Sequence, residues 1–402
     1  DRTVFAVFNA NHTYDFLAGN EGREDDDKSE SDVRRAYLEL DDKQYNVVGK
    51  VGRQSSRNGG VFGTYDGLEA GYRVTPRWLV SAMAGKPIIR TYSDVEIYEK
   101  SFYGVKADVT SANKELSSNM FFVHQDVDGI LDRQAIGGDL RYAIKGLSVF
   151  ALIDYDIAYK DLSLFNVRVG WNYTKSNKLN FSYNRRHLLM TSRALEGMSI
   201  TTIDKLLDYL PEDEIREIAE DRTRVDDTLT IGNSYQINED QQLNADVTIL
   251  RSTGSPGGID PEKEAQKLID PTVDSTVYPV EATDSQFIYS LQWISSNTFI
   301  ERDLYVVGLR RSQFTRYTEN SMFVNARVPF ATQWRPGFRL SYSSRDSESF
   351  GKRTTLSPSI KVNYRVNKSW SLDADLGVDI VKNELAPNEI RTRGRVAYNY
   401  IF

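Results

Sequence analysis

Three histidines, His12, His124 and His187, are the groups of this 402-residue chain that ordinarily titrate near neutral pH, and it has no cysteine. Each stands at the end of an alternating apolar segment. A Ser/His or Asp/His couple there would suit hydrolysis, and a trio of imidazoles would suit a transition metal. No Gly-x-Ser-x-Gly elbow accompanies any of them. Solvated surface histidines are therefore the stronger reading; neither catalysis nor a cofactor is expected. A larger set has different chemistry. Arg35, Lys50, Arg73, Arg168, Arg186, Arg327, Arg339, Lys361, Arg365, Arg393 and Arg395 sit between apolar positions, with Glu69, Asp373, Asp375 and Asp379 as opposing carboxylates. The planar fork of Arg grips carboxylate or phosphate bidentately, so such a set could draw in an anionic solute. The plainer reading, charges neutralising one another along a wet wall, is weighted above it.

The elements that position these charges show a period of two. Trp370, Leu372, Ala374, Leu376, Val378 and Ile380 alternate with Ser371, Asp373, Asp375, Gly377 and Asp379, and Phe165, Val167, Val169 and Trp171 with Asn166, Arg168 and Gly170. Leu68, Ala70, Tyr72 and Val74 alternate with Glu69, Gly71 and Arg73 near the start. Segments of roughly ten residues with one apolar and one polar face, separated by turn residues, are the signature of a transmembrane β-barrel. The last strand carries Val396, Tyr398, Tyr400 and Phe402 on its apolar face. It resembles the closing strand of bacterial outer-membrane β-barrels. The resemblance implies that Tyr398, Tyr400 and Phe402 form an assembly signal for the barrel-assembly machinery, and that outer-membrane lipid and lipopolysaccharide surround the chain.

Composition agrees with an all-β transmembrane antiparallel up-and-down barrel occupying residues 1–402 as one domain. Mean hydropathy is -0.49 with 40% hydrophobic residues, and no run approaches the ~18 apolar residues of a spanning helix. A net charge of -7 without a basic, aromatic-interleaved patch argues against nucleic acid as a partner. A strand beginning near Thr3 disfavours TonB-dependent uptake, in which a plug domain would precede the barrel. Connections mostly alternate between short and long, as in barrels with periplasmic turns and extracellular loops. Counting them gives about 20 strands, with 18 as the runner-up. Residues 99–109 and 304–311 alternate poorly.

Four loops stand out. Within 188–224, Ile203, Leu206, Leu207 and Leu210 have helical spacing, and after Pro211 a second helix places Ile215 and Ile218 on one face with carboxylates at its start. This pair folds inward as a plug, its acids meeting the arginines of the wall, or caps the rim, with a docking surface for a partner as the third and weaker reading. The segment 252–282 reads as a mobile surface loop. The Gly-rich run 52–67 resembles the loop that folds against the inner wall of porin-like barrels; it does not fit a phosphate cradle. The acidic run Glu24, Asp25, Asp26, Asp27 with Glu30 and Asp32 reads as a solvated loop able to collect divalent cations.

The expected function is an outer-membrane channel that passes a polar, anionic solute or an exported polysaccharide along a charged lumen, gated by loop 188–224. Polysaccharide-export barrels resemble it in their charged lumen and long occluding loop. One alternative is a sheath around a periplasmic or lumen-threading partner protein, as in porin-cytochrome conduits, although this chain has no Cys-x-x-Cys-His of its own. The other is a non-conducting surface scaffold.

Overall fold

A computed structural model describes residues 2–14, 29–55, 60–88, 97–331, 333–367 and 369–400. Twenty strands form one sheet. Each pairs antiparallel with its neighbour in sequence, from Arg2–Tyr14 against Ser29–Asp42 to Trp370–Asn383 against Glu389–Tyr400. A ladder joining the last strand to the first is not among the pairings of the described residues. The count is the twenty expected, and both poorly alternating segments are strands, Lys100–Thr110 and Leu304–Phe314.

The register lines up like with like. Leu291, Leu309, Met322, Tyr342, Leu356, Ile380 and Ile390 follow one another across seven strands in a single hydrogen-bonded row, all on one face. Large apolar groups stay exposed on that face, Leu376 at 62% and Val396 at 74%. A water-soluble sheet would bury them, whereas a sheet in lipid need not. From Leu356 to Val366, one residue past the end of the strand Gly351–Arg365, the chain rises roughly 33 Å, about 25 Å along the axis at the ~40° tilt of such strands, the height of a barrel's lipid-facing band. Trp78, Trp171, Tyr235, Trp334, Trp370 and Tyr398 lie exposed near the short-turn ends, forming the aromatic girdle expected where the band meets water.

Outer connections are less uniform than the expected short-and-long pattern. The connection read as 126–132 is a two-residue turn, Asp128-Gly129, with φ of 46° and 84°. Both values are positive, as a type I′ hairpin demands, and Asp-Gly is the pair that supplies them cheaply. Residues 315–316 close another tight outer turn. On the opposite end, residues 297–303 make a longer connection than the Ser296–Thr298 turn read from sequence. The segment 252–282 is not an irregular loop. It holds a helix, Pro261–Lys267, capped by the Asp260 carboxylate, and a small ladder between Gly258–Ile259 and Thr276–Val277.

The polar face has an apolar exception. Val61, Tyr65, Met83, Phe102, Val123 and Ala135 form a buried cluster on it, with Tyr65 edge-on to Phe102 at 4.9 Å. This is why residues 99–109 alternate poorly: both faces there carry apolar groups.

Candidate functional site

The polar face falls into three sectors. Over the second to ninth strands the charges are paired. Arg73 grips Asp41 through two bonds of 2.8 Å, Lys50 lies 3.4 Å from Glu39, and Lys106 lies 2.5 Å from Glu69. Arg35 shares this face. Over the tenth to fourteenth strands the face is largely neutral, with Asn166, Asn180, Ser182, Thr230, Asn244 and Thr248 interrupted by Arg168 and Asp246; Arg186 ends it on the loop side.

The last sector is rich in Arg. Arg327, Arg335, Arg339, Lys361 and Arg365 line a cavity of about 680 Å³ with Asp373 and Asp375. A neighbouring cavity of about 840 Å³ adds Arg353, Asp379, Arg391, Arg393 and Arg395. Asp379 is 3.9 Å from Arg393, and Asp373 accepts a hydrogen bond from Asn363 at 3.0 Å. Bases outnumber acids along these walls. The strands thus bring together Arg327, Arg339, Lys361, Arg365, Arg393, Arg395, Asp373, Asp375 and Asp379, and set Arg168 apart.

The helical segment lies across the loop end of the polar face. A 3₁₀ turn, Thr191–Leu195, precedes α1, Ile203–Leu207, and α2, Glu212–Arg222. Ile203, Leu206 and Ile215 are fully buried against Val127, Ala194, Leu195 and Ala219, with Leu210 and Ile218 packed at the edge. Leu207, grouped with them by helical spacing, points away and is 37% exposed. The anchor is electrostatic and dry. Lys100 Nζ lies 2.7 Å from Asp132 Oδ2 and donates to Ser192 Oγ at 2.6 Å, while Ser192 N donates to Asp132 Oδ1 at 2.9 Å. The side chains of Lys100 and Asp132 are 8% and 0% exposed. Among the described residues, the expected pairing of helix acids with wall arginines is not found. Glu212, Asp213, Glu214 and Glu217 face solvent, and the acid that holds the loop, Asp132, belongs to the wall.

Beside this anchor Arg133, 1% exposed, donates through Nη2 to both Asp154 oxygens at 2.7 and 2.9 Å, and its guanidinium lies 4.2 Å from the ring of Phe62. The Gly-rich run therefore folds against the polar face through Val61 and Phe62. Lys100 escaped sequence reading because 99–109 alternates poorly, and Asp132 and the adjacent Arg133 because 126–132 looked like a loop. A register shift there places adjacent Asp132 and Arg133 both inward, and two neighbouring charges before an alternating run were the available signal.

Loop 253–282 docks on the helical segment. Asp260 accepts from Ser199 N at 2.6 Å and Glu262 from Ser199 Oγ at 2.9 Å, while within the helical segment itself Arg222 Nη1 donates to the carbonyls of Ala194 and, at 2.8 Å, Glu196. Burial lowers the Arg222 pKa, and the nearby Asp260 carboxylate partly offsets this. Burial works to raise the Asp260 pKa, but the bonds from Ser199 and the nearby Lys263 hold it below the usual carboxylate range.

His124 and His187 do not converge. His124 stacks on Tyr103 at 4.8 Å on the apolar face with Asp126 at 3.0 Å. His187 fastens the base of the helical loop, 2.8 Å from Asp161 and 3.1 Å from the Thr223 carbonyl. The side chains of His12, Glu30 and Tyr400, and the residues Glu24, Asp25, Asp26, Asp27 and Phe402, lie outside what the structure describes. Tyr398 is exposed on the apolar face, its ring stacked 6.4 Å from Trp370.

The apolar band, its girdle and the sheet order settle the architecture. It is that of an antiparallel up-and-down transmembrane β-barrel. No family model and no curated protein sequence matches the chain. Among solved structures it is similar to a bacterial polysaccharide outer membrane secretin, at 7% identity and a TM-score of 0.38 over 76% of this chain and 91% of that one. OmpT of Vibrio cholerae is similar at 12% and 0.40, over 87% and 99%. An anion-selective porin from Comamonas acidovorans is similar at 9% and 0.38, over 81% and 96%.

Proposed function

We propose that the protein is a channel of the bacterial outer membrane that passes an anionic polar solute along the Arg-rich sector of its wall. The observation that carries this reading is the excess of bases lining the adjoining cavities from Arg327 to Arg395. A low-dielectric wall focuses their field and raises the local concentration of anions. The helical loop narrows the mouth on the other side of the lumen. Because its anchor is buried, the loop is a fixed constriction that opens only when Lys100 and Asp132 part. Lipid surrounds the apolar band, and the barrel-assembly machinery reads the C-terminal aromatics.

The test is the reversal potential of the purified barrel in a planar bilayer under a KCl gradient. Anion preference is expected, falling when Arg339 and Arg365 are both changed to Gln. Cation preference, or no change in that variant, would overturn the assignment of the solute path; no conductance at all would favour the sheath or scaffold.

A further inference from the structure

A second feature of the polar face lies outside the Arg-rich sector. Arg141, Phe150, Arg168, Ser182, Thr230 and Thr248 stand directly opposite one another in one register row across six strands, all on the polar face. At roughly 4.8 Å per strand the row spans about 24 Å. It crosses a cavity of about 870 Å³ that Asn180, Asn244, Lys178 and Asp246 also line. Arg141 lies 5.5 Å from the Phe150 ring, and Thr230 and Thr248 hydroxyls meet at 2.9 Å. Gly170, one row nearer the short turns, leaves room for the Lys178 chain, whose Cε lies 2.9 Å from where a Cβ would stand. The row and the cavity it crosses therefore offer Arg168 and Lys178, with Arg141 held 3.6 Å from Asp139, an aromatic ring, a run of hydroxyl and amide groups, and the carboxylates of Glu115 and Asp246.

We infer that this cavity is a subsite for an acidic saccharide, the solute class of the channel proposed above, on which this inference rests. Each part of the row matches a part of such a ligand. The axial C–H groups of a pyranose give it an apolar face that packs on an aromatic ring, and its hydroxyls need donors and acceptors together, which Ser, Thr and Asn supply. Its carboxylate meets Arg168 or Arg141 in a charge-assisted bond. A simple inorganic anion would need the bases but not the amide and hydroxyl run, and a neutral sugar would not need the bases. An aromatic carboxylate would use Phe150 and Arg168 yet leave the hydroxyls and amides of the wall unanswered.

The probe is trigalacturonate, compared with maltotriose and benzoate. Binding is measured twice, by calorimetry on the folded barrel in detergent and by interruption of the single-channel current in a bilayer. Trigalacturonate is expected to bind in both, maltotriose and benzoate at least about tenfold more weakly. Arg168→Gln and Phe150→Leu should each weaken trigalacturonate about tenfold, the loss expected for one charge-assisted bond or one buried contact face; heat-modifiable electrophoretic mobility verifies that both variants fold. A conducting channel that no trigalacturonate enters, or equal binding of benzoate, overturns the saccharide subsite and leaves the channel reading standing. Calorimetric binding without conductance keeps the subsite and overturns the channel.

Discussion

Asp132 shows how one buried carboxylate can hold a whole loop. It meets Lys100, the Ser192 amide and Gln125 at 2.5 Å, so no oxygen is left to water. Asp132→Asn would strand the Lys100 ammonium in a nearly dry site, and breaking one half of such a pair costs about 3–5 kcal/mol. The barrel itself should still form, since its ladders do not use that side chain. The expected result is protease cleavage within 187–225 under conditions that leave the wild type intact. Asp260 adds a pH-dependent fastening. Its folded pKa is lowered, so it stabilises docking above the unfolded carboxylate value of about 3.9, and that contribution is lost as pH falls through the lower folded value. Protection from hydrogen exchange across 253–282, taken relative to the intrinsic amide rate at each pH, should hold from neutral pH into mild acid and fall only in strong acid. A fall already at pH 6 would contradict the role given to Asp260.

The strands and the helical loop make separable predictions. Leu376 faces lipid at mid-band while Asp375, its neighbour, faces the polar side. Leu376→Arg should therefore impair insertion by about 2–4 kcal/mol, the cost of a cation at the midplane of a barrel, whereas Asp375→Asn should insert normally. Equal folding yields of the two in lipid vesicles would invalidate the assignment of faces. The helical loop makes contact with the wall through a mini-core and one ion-pair network, and it contributes no strand. Deleting 191–222 should raise single-channel conductance several-fold with the barrel intact; unchanged conductance would place the loop clear of the solute path.

For the molecule as a whole, the division of the polar face into a packed, a neutral and an Arg-rich sector predicts a split response to salt. At 1 M the Debye length is about 3 Å, so the exposed arginines should lose their selectivity and the reversal potential should shrink toward zero. The Lys100–Asp132 anchor, almost without contact with water, should not respond, and the open-channel level should show no new, larger state. An abrupt larger level at high salt would mean that exposed ion pairs, not the buried ones, hold the loop.

A strict period of two fixes which side chains share a face, and a one-residue slip would move every apolar group from lipid into water. Hence the strand number, the lipid band and the polar faces of Arg339, Lys361, Asp373 and Arg395 could be read from residue order alone. Helical spacing likewise marked α1 and α2, and the Asp-Gly pair carried the signal for its own turn. Position across the sheet is a different kind of information. It depends on register, and register is set by ladders between segments whose alternation says nothing about their offset. The row from Arg141 to Thr248 and the convergence of the Arg-rich cavities appear only when that offset is known. Where the polar face turns apolar, around Phe102 and Val123, the period-two rule fails because a folded-in loop replaces water as the neighbour. For the same reason the anchor of the helical loop was invisible in the chain: Lys100, Asp132 and Ser192 are brought together by a bulge and a docking contact, both decided in three dimensions.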